Sequence, residues 1–211
     1  MLIKRVTSPR ELDDVFGIRY RVYCLERGYE RPEDYPYGLE MDEYDQYSIH
    51  FIGYMGSCPV GTVRLILPNP NGFPVEKHCN VDMGTLCSDT SKVAEISRLA
   101  VSSDITKRCS MHKTKFTLGL LKELCHTVSQ LNISYLLAAM GTGLDRLLNR
   151  CGMRFIKIGD PVDYHGIRIP CFAYLEDLKI ELSEKRRDIY ESFFPVQEYP
   201  LKQEYLDVFV S

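Results

Sequence analysis

The segment Ala94-Glu95-Ile96-Ser97-Arg98-Leu99-Ala100-Val101 sets a carboxylate and a guanidinium inside a run that otherwise reads as a buried strand. Removing an unpaired charge from water is costly, so such groups are normally paired, and a paired charge in a cleft is equipped for chemistry. Two upstream segments carry the same signal: Asp42 and Asp45 in Met41-Asp42-Glu43-Tyr44-Asp45, and Arg64 in Gly61-Thr62-Val63-Arg64-Leu65-Ile66-Leu67-Pro68. Strand side chains alternate faces, so Glu95 and Arg98 point apart unless a bulge near Ile96–Ser97 turns both toward one cleft. A bulge frees a backbone N–H, and a free N–H beside a carboxylate suits acyl transfer to an amine. The donor polarises a thioester carbonyl while the carboxylate takes the proton of the amine. A buried ion-pair network that only fixes strand packing would use the same residues. Asp42 and Asp45 share a face if their segment is helical, within reach of Arg19, Arg64 or Arg98.

The elements that must hold these groups follow from periodicity. Ser8-Pro9-Arg10-Glu11 is a helix-start signal, and Leu12, Val15, Phe16, Ile18, Tyr20, Val22 and Tyr23 extend a broad apolar face to residue 27. Gly28 to Gly38 is too irregular for regular structure and reads as a loop. Ile49 to Tyr54 and Val60 to Leu67 read as an antiparallel hairpin around Met55-Gly56-Ser57-Cys58-Pro59. Val75 to Thr90 has no clear period. Val93 to Val101 is a strand, a polar stretch follows, and Phe116, Leu120, Leu121, Leu124, Val128 and Leu131 mark a helix from about Lys113 to Leu131. Ser134 to Met140 suits a central strand, Gly143 to Cys151 a short helix, and Phe155 to Ile158 with Ile169 to Leu175 late strands. Ser183 to Phe194 reads as a terminal helix before an extended tail, together 183–211. This order suits an α/β (α+β) sandwich, a mixed sheet between helices, formed as a single domain over 1–211.

Composition narrows the function classes. The 211 residues carry a net charge of −3, are 45% hydrophobic and 26% charged, and give no global reason to expect a nucleic-acid partner. No apolar run approaches the ~20 residues of a transmembrane helix, and the N-terminus lacks a secretory pattern, so a cytoplasmic protein is expected. The eight cysteines have neither a C-x-x-C pair nor zinc-ribbon spacing. They read as reduced thiols, with no metal site. A basic segment containing Lys107, Arg108, Lys113 and Lys115 joins the Glu95 strand to the long helix, a natural anion site.

Arg19, Tyr23, Tyr29, Asp42, Asp45, Arg64, Glu95 and Arg98 fall in the order of the motif set of acyl-homoserine-lactone (autoinducer) synthases. That set runs from a first-helix Arg and aromatic through a Trp and an Asp-x-x-Asp pair to G-x-x-R-L and E-[IL]-S-R. The chain resembles these enzymes and their relatives, the N-acyl amino acid synthases, both of GNAT-like fold. The wording of residues 19–30 and 38–45 looks closer still to acyltransferases associated with PEP-CTERM/exosortase systems. Tyr29 replaces the family Trp, and the motif around the next aromatic has no clear match near Phe73. These departures lie where the acceptor would bind.

The resemblance implies transfer of a fatty acyl group from an acyl-carrier protein to the α-amine of an amino acid. It makes Glu95 the general base, and Arg19, Tyr23, Tyr29, Asp42, Asp45, Arg64 and Arg98 the acceptor cleft. Gly28 to Gly38 would be an aromatic lid, and the late strands would hold the acyl chain. No glycine occurs between Gly84 and Gly119, so a glycine-rich pyrophosphate cradle is absent. The cations Lys107, Arg108, Lys113 and Lys115 would instead meet the single phosphate of acyl-phosphopantetheine on an acidic carrier, in preference to acyl-CoA. No bound cofactor is expected. Two alternatives remain: an acyl-homoserine-lactone synthase taking S-adenosylmethionine, and a catalytically idle module that binds an acyl-carrier protein or lipid.

Overall fold

A computed structural model describes residues 1–195. Element order is β1 (Leu2–Arg5), α1 (Pro9–Tyr20), β2 (Ser48–Met55), β3 (Cys58–Ile66), α2 (Pro74–Cys79), α3 (Met83–Leu86), β4 (Val93–Val101), α4 (Ser103–Arg108), α5 (Lys113–Val128), β5 (Tyr135–Met140), α6 (Thr142–Arg150), β6 (Ile156–Lys157), β7 (Val162–Asp163), β8 (Ile167–Tyr174), α7 (Leu175–Lys185) and α8 (Arg187–Phe193). Contacts divide the described residues into two compact units, one of residues 1–66, 96–124 and 163–167, the other of 67–95, 125–162 and the residues from 168 on. The strand β4 contributes Val93–Glu95 to the second and Ile96–Val101 to the first.

In the first unit β1, β2 and β3 form an antiparallel meander, with Leu2 opposite Tyr54 and Ser48 opposite Ile66. The helix α1 starts where Ser8 Oγ accepts the Glu11 N–H at 3.4 Å and Pro9 fills its first turn. Its Val15 and Phe16 bury against Ile52 and Tyr54 of β2. At Gly53, opposite Gly61, a Cβ would meet the Phe116 ring at 2.5 Å, so glycine is what lets α5 lie close on the sheet. Past Tyr20 the backbone widens into a π-helical turn, Arg21–Glu26.

In the second unit β4 and β5 are parallel, with Val93 opposite Tyr135 and Glu95 opposite Leu137; β5 and β8 are antiparallel, and β6 pairs with β8. The core strand β5 is buried along Leu136, Leu137, Ala138 and Met140. Rings of Tyr135, Phe172 and Tyr174 pack across the β5–β8 pair.

Four expectations change. Leu2–Arg5, unassigned in the sequence, is an edge strand, short and charged, completed by pairing with β2. The polar stretch after β4 contains α4, capped where Ser102 Oγ accepts the Ile105 N–H at 3.1 Å. Val75 to Thr90 holds α2 and α3. The terminal helix expected over 183–194 is two helices, α7 and α8, separated at Arg186 by a backbone of φ −143°. The extended tail falls on 196–211, outside the described residues. Among the described residues no helix is long and apolar enough to cross a membrane.

Candidate active site

Three arginines and three carboxylates interlock in the first unit. Arg19, in the last turn of α1, is fully buried and ion-pairs with Glu40 and, through Nη1, with Asp45 Oδ1 at 2.6 Å. Arg64, 1% exposed in β3, reaches Asp42 Oδ1 at 2.5 Å and Asp45 Oδ1 at 2.6 Å, and its Nε donates to Ser97 Oγ at 2.9 Å. Arg98 in β4 donates from Nε to Glu40 Oε1 at 3.1 Å and approaches Asp42 Oδ2 through Nη2 at 3.0 Å. Each guanidinium fork therefore meets two carboxylates, which is how such charges survive burial.

Local backbone geometry sets the carboxylates. The Glu40 N–H donates to Phe16 O at 3.1 Å, fastening the loop to α1. Asp42 accepts the Tyr44 N–H at 2.9 Å, and Asp45 accepts the Asp42 N–H at 2.7 Å, as short acidic side chains do in turns. Burial opposes the charge on Asp42, but Arg64, Arg98 and Arg19 outweigh it and hold its carboxyl well below the usual range. Asp45 is likewise lowered against burial, by Arg19 and Arg64. Burial also opposes the charges of Arg19 and Arg98, yet Glu40 with Asp45 or Asp42 raises both above the ordinary arginine value. His50, 6% exposed with Nε2 3.2 Å from Asp45 O, is pushed down to about 4 by burial, so it is neutral beside this network.

One residue past the place of the expected bulge near Ile96–Ser97, the backbone of β4 departs from regular strand geometry. Arg98 itself sits at φ 49°, in the left-handed region that disfavours side chains by about 1–2 kcal/mol. The kink aims Arg98 at Glu40 and Asp42, and its Cζ lies 5.7 Å from the Tyr23 ring centre. Tyr23 is carried by the π-helical turn and Tyr29 lies 6.2 Å from it, ring to ring. Burial pushes the Tyr23 hydroxyl up to about 12. Arg19, Tyr23, Tyr29, Asp42, Asp45, Arg64 and Arg98 thus gather in one neighbourhood of the first unit.

Glu95 lies in the second unit, 1% exposed, where its Oε2 accepts the Val75 N–H of α2 at 3.0 Å. A backbone donor of this kind favours the ionised carboxylate. Burial, then the charge of Glu95, raises the thiol of Cys79 on the same helix.

The four basic residues bracket the α4–α5 junction. Lys107 and Arg108 end α4, exposed; Lys115 is exposed in the first turn of α5; Lys113 donates from Nζ to Ser103 Oγ at 2.9 Å. Glu26 accepts the Ser103 N–H at 2.9 Å, tying the π-helical turn to α4. Leu25, Glu26, Arg27, Ser103, Asp104 and Lys107 line a depression of 410 Å³ there.

Sequence reasoning missed Glu40, which joins Arg19 to Arg98 and is fully buried. Its signal was its place in Gly38-Leu39-Glu40-Met41-Asp42, where a lone acid among other acids reads as solvated. Glu30, Tyr164 and His165 also belong here: Tyr164 Oη is 3.5 Å from Arg98 Nη1, and His165 Nε2 is 3.4 Å from Glu30 Oε1.

Comparison with solved structures places the fold among GNAT-like acyltransferases. FeeM, an N-acyl amino acid synthase from uncultured soil microbes, superposes with a TM-score of 0.68 at 18% identity, over 87% of this chain and 95% of that one. MesI, a CoA-dependent acyl-homoserine lactone synthase, gives 0.64 at 20% identity over 90% and 95%. A putative N-acetyltransferase from Lactobacillus plantarum gives 0.56 at 16% identity over 82% and 97%. Residues 14–177 match the family of the N-acyl amino acid synthase FeeM, and the chain belongs to that family. It is an acyltransferase, and the reaction class is acyl transfer to an amine.

Proposed function

We propose that this enzyme moves a fatty acyl group from an acyl-carrier protein thioester to the α-amine of an amino acid, in the cytoplasm. The observation that carries the reading is the buried set Arg19, Arg64 and Arg98 against Glu40, Asp42 and Asp45, within a chain of the FeeM family. Such a network suits an acceptor with both an ammonium and a carboxylate, since an arginine fork pairs with the carboxylate and an acid with the ammonium.

In the transfer, the amine nitrogen attacks the thioester carbonyl carbon. The C–N bond forms, the C–S bond breaks with its electron pair on sulfur, and the thiolate leaves on the pantetheine arm. Glu95 takes the proton released by the amine, and that proton then protonates the thiolate. Its Val75 N–H partner fixes the orientation of the buried carboxylate. Lys107, Arg108, Lys113 and Lys115 meet the phosphate of the arm and the acidic face of its carrier. The absence of glycine between Gly84 and Gly119 favours that donor over a coenzyme A pyrophosphate.

A second reading follows from MesI, which is CoA-dependent and makes acyl-homoserine lactones. Purified protein given acyl-carrier or acyl-CoA thioesters with pooled amino acids or S-adenosylmethionine separates the two. Thiol release with a linear N-acyl amino acid in the mass spectrum is expected. A lactone would transfer the chain to the second reading, and no thiol release with any pair would overturn both.

A further inference from the structure

The ion-pair network is balanced, three arginines against Glu40, Asp42 and Asp45, and this leaves Glu30 as a surplus carboxylate at its edge. The imidazole Nε2 of His165 lies 3.4 Å from it and the Arg98 guanidinium Nη2 3.9 Å. Charge-assisted hydrogen bonds between such groups run at about 2.7–2.9 Å, so both ion-pair contacts of Glu30 are long. The Glu30 side chain is 20% exposed.

Its backbone, by contrast, is held. The N–H groups of Tyr29 and Glu30 both donate to Tyr23 O, at 2.8 and 3.3 Å, which fastens this corner to the π-helical turn. A chain of rings runs through the same corner. Tyr29 lies 6.2 Å from Tyr23 and 6.3 Å from His165, and His165 lies 4.4 Å from Tyr164. Tyr35 is close enough that the charge of Glu30, after burial, raises its hydroxyl to about 12. His165 has φ 53° and Gly166 φ 83°, with the Tyr164 N–H on Gly166 O at 3.1 Å, so the turn that presents two of these rings is tightly set.

A carboxylate with only long ion pairs, beside a chain of aromatic rings, is the chemistry that recognises an ammonium group. The carboxylate supplies the counter-charge and the ring faces supply cation–π attraction. We propose that Glu30, with Tyr23, Tyr29, Tyr164 and His165, is the subsite that receives the ammonium group of the acceptor before transfer. This rests on the acyl-transfer reading and adds a residue to it: Glu30 selects the amine, and the arginines face the other end of the acceptor. Neutral alcohols and uncharged amides are then poor acceptors.

The test uses the full chain, an acyl-carrier thioester, and the amino acid that the pooled assay accepts best, together with the N,N,N-trimethyl derivative of that amino acid. The derivative cannot be acylated, so its competition with the amino acid reports the ammonium subsite apart from the chemistry. Glu30→Gln is expected to raise the acceptor KM and the inhibition constant of the derivative by about tenfold each, as loss of one charge pair implies. The thioester KM and kcat stay within about twofold. Tyr29→Leu should act in the same direction, which covers the case of Glu30→Gln failing to fold. An acceptor KM within about twofold of wild type in both variants overturns the proposal, as does an equal rise in both substrate KM values. If the wild type forms no amide, the functional reading falls while the subsite is still decided by calorimetric titration of the same amino acids. Binding that weakens in Glu30→Gln supports it; binding unchanged, or none, overturns it.

Discussion

Arg98 reaches Glu40 across 58 residues of sequence, and its Nε–H meets one oxygen of a carboxylate whose other oxygen holds Arg19. Glu40 therefore joins the end of α1 to the kink in β4. That makes it the residue whose loss should be felt first in the fold and then in the site.

Glu40→Ala leaves two buried guanidiniums each short of a counter-ion. Breaking a buried pair in this way costs about 3–5 kcal/mol. Urea denaturation should show a midpoint lowered accordingly with the slope unchanged, and a loss below about 1 kcal/mol, the range of exposed pairs, would sink the assignment.

His50 gives the fold a pH dependence of predictable sign. Its folded value is pushed down to about 4 by burial. A free histidine titrates near ~6.5, so its contribution is complete above that pH and is lost as the pH falls toward 4. The loss is on the order of 3 kcal/mol. Asp42 and Asp45, both lowered in the fold, add theirs from about pH 5 downward, where unfolded aspartates begin to take up protons. Glutamine at 50 retains a donor for Asp45 O, so chemical denaturation of His50→Gln between pH 6.5 and 4 should show a flatter decline than wild type. Parallel declines would count against His50.

Glu95→Gln tests the base directly. The amide oxygen still accepts the Val75 N–H, so the melting temperature should change little. Thiol release should fall about 10²–10⁴-fold, the usual contribution of a positioned base. Full activity across pH would remove Glu95 from the reaction.

The basic junction should read the carrier rather than the acyl chain. Lys107→Glu with Arg108→Glu is expected to raise the KM for an acyl-carrier thioester about tenfold at low salt, a difference that shrinks as salt is added. An acyl-pantetheine donor without the carrier should be unaffected. Equal effects on both donors would mean that these residues do not contact the carrier.

The legible parts of this chain are those where a local pattern decides the outcome. The strand Val93–Val101 and the start of α5 at Lys113 agree with their apolar periods, and the acids and arginines of the site declared themselves because charge in an apolar run is costly. Glu40 was hidden because only the return of the loop onto Phe16 O buries it. The left-handed backbone of Arg98 falls one residue past the place where a bulge is expected, since alternation says that a strand carrying both charges must depart from regularity and not where. The π-helical turn after Tyr20 left no mark in the apolar pattern, which continues through Val22 and Tyr23. Arg186 interrupts α7 and α8 with nothing local to announce it.

The left-handed backbone of Arg98 also has a consequence for how this protein can change over generations. Glycine is the residue that such a conformation would ordinarily recruit, and it would relieve strain there at once. It would also erase the fork that meets Glu40 and Asp42. Breaking a buried pair costs about 3–5 kcal/mol against a backbone strain of about 1–2 kcal/mol, so this codon is held by stability as well as by the site. A library sorted for survival alone should keep arginine at 98 although the backbone there favours glycine.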